Sequence, residues 1–411
     1  MRSMGRSGRF ATILASVWMG AACGEAPNSA GRVEVIDSAG VRIVSNGPLA
    51  GGPELVPAGA QPTLEIGSLD GDPAYQLFQV SDAARLDDGT VVVTNAGSRE
   101  VKVYEADGSH RVTFGGAGRG PSEFGYPVGL TPMGGDTVQI QDRMDRVTFT
   151  ASGEFVGRAT HRPDALNALF PGGFSEGGTW LTDGALVAPI HARWSGPPTP
   201  GSLRRPEMTF VRIGPGMASV DTLGVFGGML QQMVEVASSQ RPLQPAVPPF
   251  GTNTTWSVKA RDGSVLLADN ADPQVRVYGP GGGLTLVRWQ AEPEPVRAAE
   301  VDRVLDEWRT GWASERLEEN ERVWAQMDTP ETKPFYARAA HGRDGSIWVL
   351  VSDPFLDPAA TYQVFAPDGT YRGRAAFPGP FIVQDAGPDW VLGVATDEND
   401  VEYLRMYALA G

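Results

Sequence analysis

One pattern is written repeatedly in this chain, and repetition constrains a fold more tightly than composition does. "LDDGTVVVTNAGSREVKVYEADG" (Leu86–Gly108) and "RDGSVLLADNADPQVRVYGPGG" (Arg261–Gly282) share an Asp-Gly turn, an apolar strand, a polar break and a strand ending in Tyr. Gly89 to Tyr104 and Gly263 to Tyr278 are both 15 residues apart. The unit occurs six times, over Tyr75–Gly116, Tyr126–Thr160, Gly172–Gly228 with an interruption, Thr254–Gln290, Tyr336–Phe377 and Phe381–Leu409. In "REVKVY" and "PQVRVY" apolar and polar residues alternate at period two, the mark of a half-buried strand.

The sixth copy stops after its third strand, and the missing strand lies at the other end of the chain. Pro62–Phe78 aligns with His110–Val128: a fourth strand, a Gly-rich link and the next first strand. An N-terminal strand that completes the last sheet removes two exposed edges. Val33–Asn46 reads as a preceding hairpin turning at Ser38-Ala39-Gly40. The expectation is an all-β chain, one six-bladed β-propeller of four-stranded blades over residues 33–411, with an insertion near 291–334. Gly and Pro, 52 and 33 residues, then serve the many tight turns.

The Asp-Gly–strand–Asp/Asn–strand–aromatic unit resembles the NHL repeat. "GGAGRGPSEFGYP" (Gly115–Pro127) and "DSAGVRIVSN" (Asp37–Asn46) resemble the six-bladed propeller lipoproteins of environmental bacteria. That resemblance implies the fold and leaves the function open, because a fold does not license a function.

The N-terminus adds an address. Arg2, Arg6 and Arg9 precede an apolar run from Phe10 to Ala22, too short to span a bilayer. An ordinary cleaved export signal would read this way. Gly20-Ala21-Ala22-Cys23 also resembles a lipobox, departing from it at Gly20, where that motif usually has Leu. Residues 1–22 are then a signal peptide, Cys23 the lipidated residue and 23–32 a polar tether. Membrane contact is expected only through this anchor, since no later segment is apolar enough to cross. Cys23 is the single cysteine, which excludes an intrachain disulfide and thiol chemistry in the folded part. The formal charge of −15 argues against a nucleic-acid partner.

Propeller topology separates two faces. Short Asp-Gly and Ser-Gly turns fall at one end of the strands, and every long insertion falls at the other: Ala192–Glu207, Gly228–Gly251 and Ala291–Pro334. Loops carried on a rigid scaffold are where binding usually resides. In the last insertion Val301, Val304, Leu305, Trp308 and Trp312 form one apolar helical stripe. Pro295 suits its first turn, and Ser314 can cap a second helix carrying Leu317, Trp324 and Met327. The stripe could pack on the rim, or Trp308, Trp312 and Trp324 could form a lid over the channel.

The second strands end with Asn95, Asp142, His191, Asp269, Asp353 and Asp397, a candidate ligand-binding ring at the loop-rich end. Such a ring could take a divalent cation such as calcium. The same residue types also cap local turns. His110, His161, His191 and His341 show no metal-ligand spacing, and no nucleophile-elbow motif occurs. The first expectation is an exported envelope lipoprotein, monomeric, without a cofactor, that binds a peptide, protein or small ligand. The alternatives are a lactonase-like metal-dependent hydrolase or lyase, and a structural interaction module.

Overall fold

The computed structural model describes residues 33–410 except 58, 161–166, 176, 193–198, 238–241, 260, 353–355 and 358. The export segment, Cys23, His161 and Asp353 lie outside the described residues. Within them the chain is nearly all β.

The Asp-Gly turns explain how so many short strands are made. The Asp88 carboxylate accepts the Thr90 amide, Asp107 that of Ser109, Asp262 that of Ser264, Asp344 that of Ser346 and Asp368 that of Thr370, each at 2.9 Å. The intervening glycine takes positive φ, 94° at Gly89 and 86° at Gly345, where a Cβ would be strained. Side chain and backbone thus specify the same reversal at the end of each of these strands.

The strands assemble into seven sheets among the described residues, each built on antiparallel neighbours. The first sheet holds Val80–Arg85, Val91–Asn95, Glu100–Tyr104 and His110–Gly115. The second holds Pro127–Gly134, Thr137–Asp142, Asp145–Thr150 and Phe155–Thr160. The third begins with two short pieces, Gly173–Phe174 and Thr179–Trp180, and continues with Leu186–Ala192, Glu207–Ile213 and Val220–Gly227. The fourth holds Thr254–Ser257, Val265–Asp269, Gln274–Tyr278 and Leu284–Gln290. The fifth holds Arg338–His341, Ile347–Leu350, Thr361–Phe365 and Tyr371–Ala376. The sixth holds Phe381–Ala386, Trp390–Thr396 and Glu402–Ala408.

The N-terminal segment pairs as its sequence anticipates. Leu64–Ile66 lies antiparallel to Glu402–Ala408, with Ile66 opposite Leu404 and Leu64 opposite Met406. Val33–Ser38 and Val41–Pro48 form the hairpin, turning at Ala39-Gly40. Two further pairings are not in the repeat pattern: Val41–Pro48 runs parallel to Leu284–Gln290, and Glu54–Val56 runs parallel to Tyr371–Ala376. The N-terminal stretch therefore edges three different sheets.

The core lies between consecutive sheets. Val92, Val101 and Val103 of the first pack with Leu130, Val138 and Ile140 of the second. Like clusters join the third to the fourth, the fourth to the fifth, the fifth to the sixth and the sixth to the first. Both faces of the first and fifth sheets are covered, so Val91–Asn95 and Ile347–Leu350 are buried at every residue and need no alternation. Each Val or Leu so placed contributes about 1.5–3 kcal/mol relative to exposure.

Polar contacts also pass from each sheet to the next. Ser81 Oγ donates to the Pro127 carbonyl at 2.9 Å, Gln141 Nε2 to Gly178 at 2.7 Å, and Trp256 Nε1 to Thr179 Oγ1 at 3.3 Å. The Arg261 amide donates to the Arg343 carbonyl at 3.0 Å and the Arg343 amide to that of Ala386 at 2.9 Å. The Arg85 amide then donates to Asp385 Oδ2 at 3.0 Å, linking the sixth sheet to the first.

The long insertions find one another. Leu203–Arg204, Gln231–Glu235 and Leu243–Ala246 form the small seventh sheet from two of them. The third supplies α1 (Ala298–Thr310) and α2 (Leu317–Trp324). Gln326, just after α2, pairs with the Glu235 backbone as a strand would, accepting from its amide at 2.7 Å and donating to its carbonyl at 3.1 Å. The Asp328 amide donates to Gln232 Oε1 at 2.7 Å. Pro295 lies before α1, bridged to Thr332, rather than in its first turn. Ser314 opens a 3-10 turn that leads into α2.

Candidate functional site

A cavity of about 1050 Å³ runs among the first strands of the six larger sheets. Its wall includes Ser81 and Asp82, Val128 to Met133, Gly178 to Trp180, Trp256 to Lys259, Arg338 to Ala340, and Val383 to Asp385. Innermost strands in such an arrangement are shielded by neighbours on both sides. Charged side chains there must be paired or must face the cavity.

At the end where the first strands finish, the charges are paired across sheets. Lys259 of the fourth sheet reaches both Asp82 of the first and the Gln384 carbonyl of the sixth. Asp82 Oδ2 also accepts the Leu130 amide of the second sheet at 2.8 Å. Arg343 contacts Asp385 at 2.5 Å and the Arg85 carbonyl. Asp385 takes two amides as well, Arg85 at 3.0 Å and Ala386 at 2.9 Å. Arg261 pairs with Asp87, which lies 3.7 Å from Arg343. Burial pushes the Asp385 carboxyl up from its ordinary value, against the pull of Arg343 and Lys259.

The other end is lined by Tyr126, Gln141, Arg143, Met144, Gly177, His191, Trp256 and Arg338. Arg143 sits in the hairpin turn between Asp142 and Asp145 at φ 54°. Its amide donates to the Tyr126 carbonyl at 3.2 Å, and Gln141 Nε2 donates to its carbonyl at 3.0 Å. These contacts hold a backbone conformation that an arginine seldom adopts.

The ring anticipated at the ends of the second strands is not assembled. Asn95 Oδ1 accepts the Phe78 amide at 2.7 Å, while its amide donates to Ser98 Oγ at 2.8 Å. Asp142 accepts Gly125 at 3.0 Å and Tyr126 at 2.6 Å and pairs with Arg158 at 2.5 Å. Asp269 pairs with Arg205 at 2.5 Å and accepts the Ala271 amide at 3.1 Å. Asp397 accepts Asn399 at 2.9 Å and Val401 at 3.0 Å within its own turn, and these bonds hold its carboxyl below the usual value. Of the six candidates His191 lines the cavity, stacked on Phe174 at 5.2 Å between ring centres, and Asp353 is not among the described residues.

The spacing of these bonds shows what the position is for. Phe78 to Asn95, Gly125 to Asp142 and Asn253 to Asn270 are each 17 residues apart, and each pair makes the same amide-to-side-chain bond. In the fourth sheet the equivalent residue is therefore Asn270 and not Asp269. The side chain pins the entry of the first strand to the end of the second. Among the described residues no three His, Cys, Asp or Glu side chains gather as metal ligands.

The tryptophan lid is likewise not formed. Trp308 and Trp324 pack edge to face on each other at 4.9 Å, which joins α1 to α2. No described residue of 291–334 lines the cavity. The helices are tied to the seventh sheet instead, where the Gln326 side chain pairs with the Glu235 backbone and Gln232 accepts the Asp328 amide.

Sequence reasoning missed Asp82, Lys259, Arg343 and Asp385. The signal was present: each lies in or just after a first strand whose neighbours are apolar, as in "SVKARDG" and "VQDAG".

The chain matches no family model and no curated protein. Among solved structures it is similar to a protein described as exported from Bacteroides fragilis, at 10% identity over 89% of this chain and 99% of that one, TM-score 0.46. A DUF4221 family member from Bacteroides vulgatus gives 8% identity over 92% and 99%, TM-score 0.46. A gluconolactonase from Xanthomonas campestris gives 12% identity over 87% and 98%, TM-score 0.41. These are β-propeller-like proteins. Among the described residues no helix is long and apolar enough to cross a membrane.

Proposed function

We propose that this chain is an exported, lipid-anchored six-bladed β-propeller that binds a small ligand in its central cavity. The observation that carries the reading is the cavity itself, about 1050 Å³ with polar and aromatic walls drawn from all six larger sheets. A closed ring of six is supported by the bonds that pass from each sheet to the next, and by the pairing of Leu64–Ile66 with the last strand. Export and attachment through Cys23 rest on the N-terminal segment alone. A Cys23→Ser variant recovered in the soluble envelope fraction would agree with it, and one that stays with the membrane would not.

Gly129 offers a direct test of the cavity. A Cβ there would meet Gln141 Cβ at 3.7 Å and Asp82 Oδ2 at 3.9 Å, ordinary contacts with two cavity residues. Gly129→Phe should therefore fill the space without strain on the backbone. We expect aromatic fragments detected by ligand-observed NMR to bind the native chain and to be displaced by this substitution. Equal binding to both would place the ligand elsewhere and end the reading.

A further inference from the structure

Among the described residues a shared apolar core joins each larger sheet to the next, except the second to the third. In the second sheet Leu130, Val138, Ile140, Val147 and Phe149 all pack with the first. The alternate residues face the third sheet, and they are polar. Gln139 and Gln141 lie on the second strand, with Thr131 opposite Gln139 on the first, and Thr148 and Arg146 opposite the two glutamines on the third. The third sheet presents an apolar face of its own, Leu186, Ala188, Ile190, Val211 and Ile213. Amide and hydroxyl set against leucine and valine is a mismatch, and mismatches of this kind collect at functional sites.

The cavity runs into this joint. Thr131, Met133, Gln139 and Gln141 line it from the second sheet and Thr179 and Trp180 from the third, and none of them is charged. The two walls are in register. Gln141 Nε2 donates to the Gly178 carbonyl at 2.7 Å, and a Cβ on Gly177 would meet Met144, in the turn beyond Gln141. Trp180, two residues past Gly178, therefore stands level with Gln139, two residues before Gln141. Arg146 of the second sheet lies over the indole, 4.1 Å from its ring centre, and fixes it in the joint. Gln139 supplies a second, independent observation. It is only 7% exposed, and among the described residues its side-chain amide has no hydrogen-bond partner. A buried amide without a partner is costly, and leucine would suit the facing apolar surface better.

Resting on the cavity reading above, we propose that this slot between the second and third sheets binds a neutral planar molecule with a lactam edge. The Gln139 carboxamide presents a carbonyl and an N–H side by side, which pair with the N–H and carbonyl of a cis-amide in two parallel bonds. A gap between two facing sheets admits a flat ring, and the ring lies against Trp180 and Met133. Uncharged walls give an ionised ligand no counterpart.

The test is a titration of the full chain, followed by ligand-observed NMR, with carbostyril and with coumarin. Coumarin has the same size but carries a ring oxygen where carbostyril has its N–H. Carbostyril should bind at least about ten-fold more tightly, because coumarin leaves the Gln139 carbonyl unpaired. Gln139→Leu should bring carbostyril down to the affinity of coumarin and leave coumarin within about two-fold. The same substitution should raise the melting temperature by about 2 °C, as the apolar face gains its partner. A fall in melting temperature would show that the amide serves the scaffold, and overturns the site. If the two probes bind alike, or if the preference survives in Gln139→Leu, the lactam assignment is wrong, while displacement by Gly129→Phe would still uphold the cavity. If Gln139→Leu is stabilised but neither probe binds the native chain, the polar face holds only water and the slot is no site. If neither binds, and Gly129→Phe changes nothing in the fragment experiment, both readings fall.

Discussion

His341 is the most exposed weakness of the structure at the residue scale, although it is buried. Among the described residues neither ring nitrogen has a hydrogen-bond partner, and desolvation lowers its pKa from 6.5 to about 4 despite the nearby Asp262. Between those values the unfolded chain binds a proton that the folded chain does not, so stability rises with pH through this window. It is intact above about pH 6.5 and declines as pH falls towards 4, by roughly 3 kcal/mol in all at this site. His341→Leu should remove that slope in urea unfolding measured from pH 7 to 4; an unchanged slope would show that the ring finds a proton acceptor. Asn95 and Asn270 illustrate the opposite case, side chains whose oxygen accepts a backbone amide from the entry of the first strand. Alanine at either position leaves the Phe78 or Asn253 amide without its acceptor, costing about 1–3 kcal/mol in the same assay. Asn95 was legible as a polar strand end, whereas in the fourth sheet the pattern pointed to Asp269 and not to Asn270. Their partners were not legible, because a turn-forming residue and a ligand-binding one have the same sequence signature.

At the scale of elements, the strand Leu64–Ile66 is short but joins the two ends of the chain. Leu64 and Ile66 are buried with Ala83, Val91, Val93, Leu392 and Leu404, in the core shared by the first and sixth sheets. Ile66→Ala should cost about 2–5 kcal/mol and raise the unfolding rate, read as faster proteolysis between residues 67 and 76. The link that follows is held unusually firmly. Buried Lys102 donates to the Pro73 carbonyl at 2.5 Å and to Gln76 at 2.8 Å, and Tyr104 Oη donates to Ala74 at 2.7 Å. Burial lowers the Lys102 pKa and raises that of Tyr104. The α1–α2 insertion was foreseen as helical from its stripe, yet only Val304 of α1 is fully buried. The segment after α2 is tied to the seventh sheet by Gln232, Glu235, Gln326 and Asp328, residues with no periodicity to announce them. Replacing 297–330 with a flexible linker should lower the melting temperature and leave probe binding in the cavity within two-fold, because no described residue of the insertion lines it. A large loss of affinity would restore the lid.

At the scale of the whole molecule, the sheets are tied by charges that span the cavity, so distant parts of the chain unfold together. Arg343→Met strips Asp385 of its guanidinium and leaves a buried carboxylate, a change worth about 3–5 kcal/mol. It should lower a single melting transition and not split it in two; two separate transitions would mean that the sheets are not one cooperative ring. The sequence by itself determined the strands, their turns, their order and the pairing of the N-terminal strand with the last sheet. Those features depend on side-chain period and on Asp-Gly chemistry, which are local and repeat six times. Only the tertiary structure decided that Asn95 and Asp142 turn into loops, that Asn270 replaces Asp269, and that Lys259 crosses to Asp82, 177 residues away. Which carboxylate meets which cation depends on the radial placement of strands remote in sequence. No local pattern encodes that, and the cavity is made of such placements.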